Sequence, residues 1–417
     1  MLSEKEKLDT LIRLGVELNE LSDLDILLER VLSKARQVVS ADAGSIYIRE
    51  GSELHFTYTQ NDTLQRRLPN GEKLIYSTFS IPIDEKSMAG YVATTGNSLN
   101  IEDVYHIAPT KPYGFNKQYD EASGYKTQSA LTIPLKNATG QVMGILQVIN
   151  AQDSENHLIP FSQADEKIMH HFAATAAVAL ERAQMTRRNI LRMIRMAELR
   201  DPKETGAHIN RVASYSLELY EQWARINGTN ERELDRNRDI LRMAAMLHDV
   251  GKVAISDTIL KKPDRLAASE FETMKEHTVI GARLFMDRQS DFDAATVQVA
   301  LNHHERWDGT GYPGHIDVAT GRPLPGCTRA DGSARGKAGE EIPLFGRIVS
   351  LADVYDALSS CRIYKKPWDE GRVLETIEAG TGSQFDPNLV KILLSRLDVI
   401  RAIQRRYADT FMFSPQS

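Results

Sequence analysis

The chain has 417 residues, 41% hydrophobic and 26% charged, enough to bury more than one core, so two folded units and a connector are expected. Its formal net charge of −6 argues against a duplex nucleic-acid surface, which needs clustered Lys and Arg to neutralise many phosphates. Cys327 and Cys361 are the only cysteines, so no disulfide framework or thiolate zinc site can be assembled within one chain, and metal sites must use His and carboxylates.

The opening residues MLSEKEKLDTLIRLG lack the apolar core of a signal peptide, and no run approaches a membrane span. The expectation is a cytoplasmic protein without a membrane partner. From Leu21 to Ser40 apolar residues recur at helical spacing, and Ser22 with Asp23 suit the start of an amphipathic helix. The runs GSIYIRE, LHFTYTQ, SALTIPLK and GQVMGILQVINA then alternate or are apolar, are rich in β-branched residues, and are separated by Gly, Asn and Asp. They predict an antiparallel sheet with flanking helices.

Between Ser162 and Asp201 there is no Pro or Gly, and Ile168, Phe172, Ile190, Met193, Ile194 and Ala197 recur at helical spacing. One helix, roughly 60 Å long, is expected there. It reads either as a signalling connector that pairs two copies of the chain or as a terminal helix packed on its own domain. After Pro202 the pattern becomes successive helices, HINRVASYSLELYEQWARI, RELDRNRDILRMAAMLHDVG, SEFETMKEHTVIGARLF, DAATVQVALNHHE, RIVSLADVYDALSS and GRVLETIEAG, so the second domain should be all-α. The segment from His315 to Glu340, rich in Gly, Pro and Arg, reads as an irregular loop, either a lid or a disordered insertion.

The Leu21 to Glu181 region resembles a GAF domain in its leading helix, SADAGSIYIRE, AGYVATTGNSLNIEDV, SALTIPLKNATGQVMGILQVIN and the helix after FSQADEKIM. The resemblance implies an α+β sensor with an unidentified small ligand, or a dimerisation module. His55, His170 and His171 read as ordinary surface or core histidines.

The most specific feature of the second half is a series of His and acidic residues on helical segments: His208, His248, Asp249, His277, His303, His304 and Asp353. Imidazole and carboxylate donors without thiolate suit iron, manganese, nickel or zinc, and a carboxylate can bridge two cations. Asp249, beside a ligand histidine, is the natural bridge.

LHDVGK at 247–252 and HHERWDGTGYPG at 303–314, with MKEHTVIG, IPLFGRIVSLADVYDAL and SCRIYKK, resemble the HD-GYP family, the cyclic di-GMP phosphodiesterase branch of the HD superfamily. The resemblance implies a centre of two or three divalent ions, iron or manganese favoured, that hydrolyses the cyclic dinucleotide to its linear form and in some members on to GMP. Carried over by position, His248, Asp249, His277, His303, His304 and Asp353 hold two metals, and Glu204 with His208 point to a third. Lys252 and Asp249 become catalytic, Lys252 neutralising developing charge. Arg362 and Lys365 match phosphate-binding positions, and Tyr312 of Gly311-Tyr312-Pro313 is placed near the substrate; Trp307 and Tyr312 could stack on guanine or simply pack.

Two departures stand out. The insertion after Gly314 carries Arg322, Arg329, Arg335 and Lys337, which read more readily as solubilising than as phosphate-binding, and GSQFDPNLV replaces a usual Thr-His before Phe-Asp-Pro. The expected arrangement is thus a GAF-like sensor at 1–165, a connector helix at 166–201 and an all-α HD-GYP domain at 202–417. The expected substrate is cyclic di-GMP or 3′,3′-cyclic GMP-AMP, in a homodimer open to GGDEF-type or other signalling partners. The alternatives are a catalytically inactive dinucleotide receptor and a general nucleoside-phosphate phosphohydrolase.

Overall fold

The computed structural model describes residues 15, 17–18, 21–68, 80–198, 206–287, 290–360 and 368–407. The chain divides into two compact units, Met1–Arg187 and Arg188–Ser417.

In the first unit, helix α1 (Leu24–Val38) begins where the Asp23 carboxylate accepts hydrogen bonds from the N–H groups of Asp25 and Ile26, at 3.0 and 3.1 Å. It buries Ile26, Leu27, Val31, Leu32 and Ala35 against the sheet side of the unit. The sheet is antiparallel throughout, with strands β1 (Ala41–Glu50), β2 (Glu53–Asn61), β3 (Ser80–Pro82), β4 (Leu99–Ile101), β5 (Ala130–Lys136), β6 (Val142–Gln152) and β7 (Leu158–Ile159). Their order is β3-β2-β1-β6-β5-β4, with β7 paired to β6. Gly144 on β6 is required by close approach, because a Cβ there would lie 2.6 Å from the Tyr47 carbonyl of β1. Helix α2 (Met88–Thr95) is capped by Ser87 and closed by Gly96 at φ 68°, a conformation only glycine adopts without strain. The expected antiparallel sheet with flanking helices is therefore what the first unit contains.

Helix α3 (Gln163–Glu198) opens with a reciprocal pair in which Ser162 Oγ accepts from Asp165 N–H and the Asp165 carboxylate accepts from Ser162 N–H. Met169, Phe172, Ala176, Ala177, Leu180 and Ala183 are buried in the first unit, whereas Ile190 and Ile194 join the core of the second. The helix is continuous across the division between the two units at Arg187.

The second unit contains helices α4 (Gly206–Ile226), α5 (Glu231–Met246), α6 (Ala268–Arg283), α7 (Asp291–Asn302), α8 (Leu344–Ser359), α9 (Glu370–Ala379), α10 (Pro387–Ser395) and α11 (Leu397–Arg406). Among its described residues there is no β-strand beyond isolated bridges, in agreement with an all-α domain. Tyr215 and Leu219 of α4, Leu241 and Ala245 of α5, Val299 of α7, and Ile348 and Tyr355 of α8 are nearly or fully buried in one core. A tight turn at Val250–Ala254 follows α5, and a Cβ on its Gly251 would come within 2.5 Å of the Gly281 nitrogen of α6. That glycine lets the turn carrying Asp249 lie directly on the helix carrying His277.

Of the two readings of the insertion, a lid or a disordered segment, the second does not hold. The insertion is folded by bridges Ile316–Pro323 and Thr328–Ala334, and Ile316 and Val318 pack on Ala282, Val297 and Leu301. Arg283 Nε donates to the Val318 carbonyl at 2.7 Å, and Arg335 pairs with both oxygens of Glu341 at 2.9 and 3.1 Å. Lys337 is half-buried, its backbone N–H on Glu305 and its ammonium on Asn302 Oδ1, so two of the four cations read as solubilising are structural. Arg322 and Arg329 are exposed, with Arg329 donating to the Gly309 carbonyl.

Candidate metal centre

Five helices or helix ends bring the predicted donors together in two groups: Asp249, His277, His303 and His304 form one, and His208, His248 and Asp353 the other, with donor atoms in each group within 4.8 Å of one another. The groups meet at Asp249. Its Oδ1 lies 3.1 Å from His277 Nε2 and 3.5 Å from His303 Nε2, while its Oδ2 lies 3.2 Å from His248 Nε2. Asp353 Oδ1 stands 3.6 Å from His208 Nε2 and 4.0 Å from His248 Nε2.

Local helix geometry aims the rings. The Nδ1–H groups of His248, His277 and His303 donate to the carbonyls of Ala245, Met274 and Ala300, each three residues back, at 2.8, 2.7 and 3.0 Å. Committing Nδ1 to a carbonyl places the Nε2 lone pair inward, the tautomer a metal ligand needs. As a result His277 Nε2 and His303 Nε2 face each other at 3.3 Å in a buried site. Two neutral imidazole lone pairs at that separation repel, and a cation between them relieves the repulsion. Together with the nitrogen and carboxylate donor set, this fits divalent transition metals.

The electrostatics keep these donors ready. Burial disfavours the Asp249 charge, but the Lys252 ammonium, 2.7 Å from Oδ2, and the neighbouring His248 and His277 outweigh it and hold the carboxyl well below its usual range. Burial lowers the pKa of His303, and burial with the facing His303 and His277 lowers that of His304 well below the ordinary imidazole value, so both rings are neutral at neutral pH. Lys252, expected to meet substrate charge, is thus also bound to the Asp249 carboxylate. Tyr312 stacks on the His304 ring, with centroids 4.9 Å apart and planes at 27°. Trp307 is half-buried and faces the Arg347 guanidinium, which is itself paired with Asp386 at 2.7 Å. Glu204, Arg362 and Lys365 lie outside the described residues.

Two contributors were not found in the sequence. Asp356, one turn after Asp353, is buried and accepts from His208 Nδ1 at 2.8 Å, from Arg211 Nε at 2.6 Å and from Ser360 Oγ at 3.1 Å. The available signal was a matched spacing, His208 with Arg211 on α4 and Asp353 with Asp356 on α8. Glu305 is buried directly after His304, and its oxygens accept from the N–H groups of Gly314 and Lys337, tying the Gly-Tyr-Pro turn and the end of the insertion to the histidine pair. Burial raises its pKa against those two bonds.

Comparison with known proteins places these units. Residues 23–180 match the GAF domain model, residues 205–358 the HD domain model, and residues 329–389 a second HD domain model. Over 207 residues, 50% of this chain and 34% of the relative, the sequence is 37% identical to the 3′3′-cGAMP-specific phosphodiesterase 2 of Vibrio cholerae. It is 38% identical to a cyclic di-GMP phosphodiesterase of the same organism over 53% of this chain and 41% of the relative. A cyclic di-GMP phosphodiesterase of Thermotoga maritima is 36% identical over 51% of this chain and 50% of the relative. The matched region thus spans between a third and a half of the length of these relatives. No helix among the described residues is long and apolar enough to cross a membrane.

Proposed function

We propose that this chain, a GAF domain followed by an HD domain of the HD-GYP kind, is a metal-dependent phosphodiesterase of a 3′,5′-linked cyclic dinucleotide, cyclic di-GMP or 3′,3′-cyclic GMP-AMP. The observation that carries the reading is the pair of donor groups joined at Asp249. Divalent ions held there, with iron or manganese favoured, would polarise a phosphodiester oxygen and acidify water. The chain's own groups then have defined tasks. His208, His248, His277, His303, His304 and Asp353, with Asp249 kept ionised by Lys252, would hold the ions. Lys252 also stands where it offsets negative charge developing on phosphorus or on the departing sugar oxygen. Arg362 and Lys365 are assigned to the phosphates, and Glu204 with His208 to a third ion. Tyr312 holds His304 and borders the substrate.

The test is anaerobic metal analysis beside a chromatographic assay with both dinucleotides. Two or three ions per chain, with turnover of either to a linear dinucleotide, is the expected result. Metal-loaded protein that binds but never hydrolyses would make it a receptor instead. The first unit is read as a sensor whose ligand shifts activity through α3, which requires different affinity for two states. Removing residues 1–160 without changing turnover or oligomeric state would refute that role. Val178, Met185 and Met196, 60 to 65% exposed on one helix, favour pairing of two copies along α3.

A further inference from the structure

The rings beside the metal donors form a ladder that runs outward to solvent. His304 stacks on Tyr312, and Tyr312 meets Phe271 of α6 edge-to-face, with centroids 6.2 Å apart and planes at 80°. Tyr312 is largely occupied, because one face packs on His304. Phe271 is not. It is 45% exposed, among the few large apolar side chains left in water on the second unit. One turn along α6, the Lys275 ammonium, ion-paired with Glu272 at 2.7 Å, lies over the Phe271 ring at 5.0 Å from its centre and over the Tyr312 ring at 5.4 Å. His277, a donor of the metal centre, follows two residues later on the same helix.

An exposed aromatic face with a cation beside it, on the helix that supplies a metal ligand, suits a planar, electron-rich heterocycle joined to a phosphate. Stacking supplies the attraction whichever purine is present, because every base has a π-face. A cation near the ring adds to it and also lies within reach of phosphate oxygens. We infer that Phe271, with Lys275 beside it, is a purine-docking face that fixes one base of the substrate while its phosphodiester lies at the metal centre. The inference rests on the dinucleotide reading of the centre and assigns Phe271 a binding role outside both signature motifs.

The two faces of this assignment predict different things for different substrates. A phosphodiester without a nucleobase, such as methyl p-nitrophenyl phosphate, reaches the metals without needing the ring. A dinucleotide loses a stacking partner when the ring is removed, equivalent to roughly 5- to 150-fold in affinity. The experiment is steady-state kinetics on the full-length, manganese-loaded protein and its Phe271→Ala, Phe271→Leu and Phe271→Trp variants. Cyclic di-GMP and methyl p-nitrophenyl phosphate are compared, with metal content measured in each. The expected result is a KM for the dinucleotide raised about fivefold or more in Phe271→Ala and Phe271→Leu. The ratio of kcat/KM between the two substrates should fall correspondingly, and Phe271→Trp should restore it. Equal losses on both substrates, or Phe271→Leu behaving like the unchanged protein, would overturn the docking face while leaving the phosphodiesterase intact. If the unchanged protein hydrolyses no dinucleotide, the reading of the centre falls first and this inference with it.

Discussion

Replacing Asp356 by Asn separates the two tasks of a buried carboxylate. Its oxygens receive hydrogen bonds from His208, from both Nε and a terminal nitrogen of Arg211, and from Ser360, all at 2.6 to 3.1 Å. Every nitrogen partner is a donor, so whichever way the amide turns its NH2 group meets an N–H, and the buried Arg211 loses the carboxylate facing it. Breaking a buried pair in this way costs about 3–5 kcal/mol. For the unit comprising Arg188–Ser417, at about 2–4 °C per kcal/mol, its melting transition should fall by roughly 6–20 °C. His208 also loses the bond that fixes its ring, and metal affinity should drop about 10- to 100-fold. Calorimetry and metal titration read the two effects. Adding Arg211→Met removes the stranded cation and should recover much of the melting temperature but not the metal affinity. An Asp356→Asn protein with unchanged melting and unchanged affinity, or a double variant that recovers both, would refute this account.

Chelation should abolish turnover and lower the melting temperature of the helical unit, with manganese or ferrous iron restoring both; at free metal a thousandfold above Kd the linkage is worth about 4 kcal/mol. In the metal-free protein, His303 and His304 have lowered pKa values in the fold, so as pH falls below about 6.5 the unfolded chain takes up protons that the folded chain does not. Stability should therefore decline from pH 7 to pH 5, by up to about 1.4 kcal/mol per pH unit for each ring, and thermal melts without a decline would contradict the assigned neutrality. Asp249 and Asp356, whose pKa values are lowered, contribute stability that is fully present above the free-carboxylate range and is lost progressively as pH falls from that range down through their own lowered values. Gly251→Ala should cost more than an ordinary surface substitution and reduce metal loading, because its Cβ would collide with the His277 carbonyl; metal content equal to that of the parent protein would argue against a tight turn-to-helix seat. Glu305→Gln points an amide N–H at a backbone N–H, and about 1–3 kcal/mol of destabilisation with faster proteolysis within 315–338 is expected.

The donor set was legible because its parts are local: His248-Asp249 and His303-His304 are adjacent pairs, and apolar spacing puts each at the end of a helix. The sheet was legible for the same reason, since GSIYIRE and SALTIPLK are pure strand patterns that occupy β1 and β5. Asp356 was not, because its partners Arg211 and His208 lie some 145 residues away and only packing of α4 on α8 joins them. The insertion misled for a related reason. Glycine, proline and arginine describe a loop's flexibility as a free peptide, but Ile316 and Val318 find an apolar seat between α6 and α7 that composition does not reveal. Composition makes Lys337 a solubilising charge, whereas its partners Glu305 and Asn302 lie more than 30 residues away in the chain.

The three histidines that bond to a carbonyl of their own last turn have their direction set by the helix that bears them rather than by a neighbour. Each ring is therefore rigid cargo on its helix, and the spacing between donors is a direct readout of the spacing between helices. Substitutions in the packing between α6 and α7, distant from any ligand, become a way to retune which ion fits, as a tolerance of evolution rather than a change of chemistry. A screen of core variants at that seam for altered iron-to-manganese preference would show how far the coordination sphere can drift while every ligand stays in place.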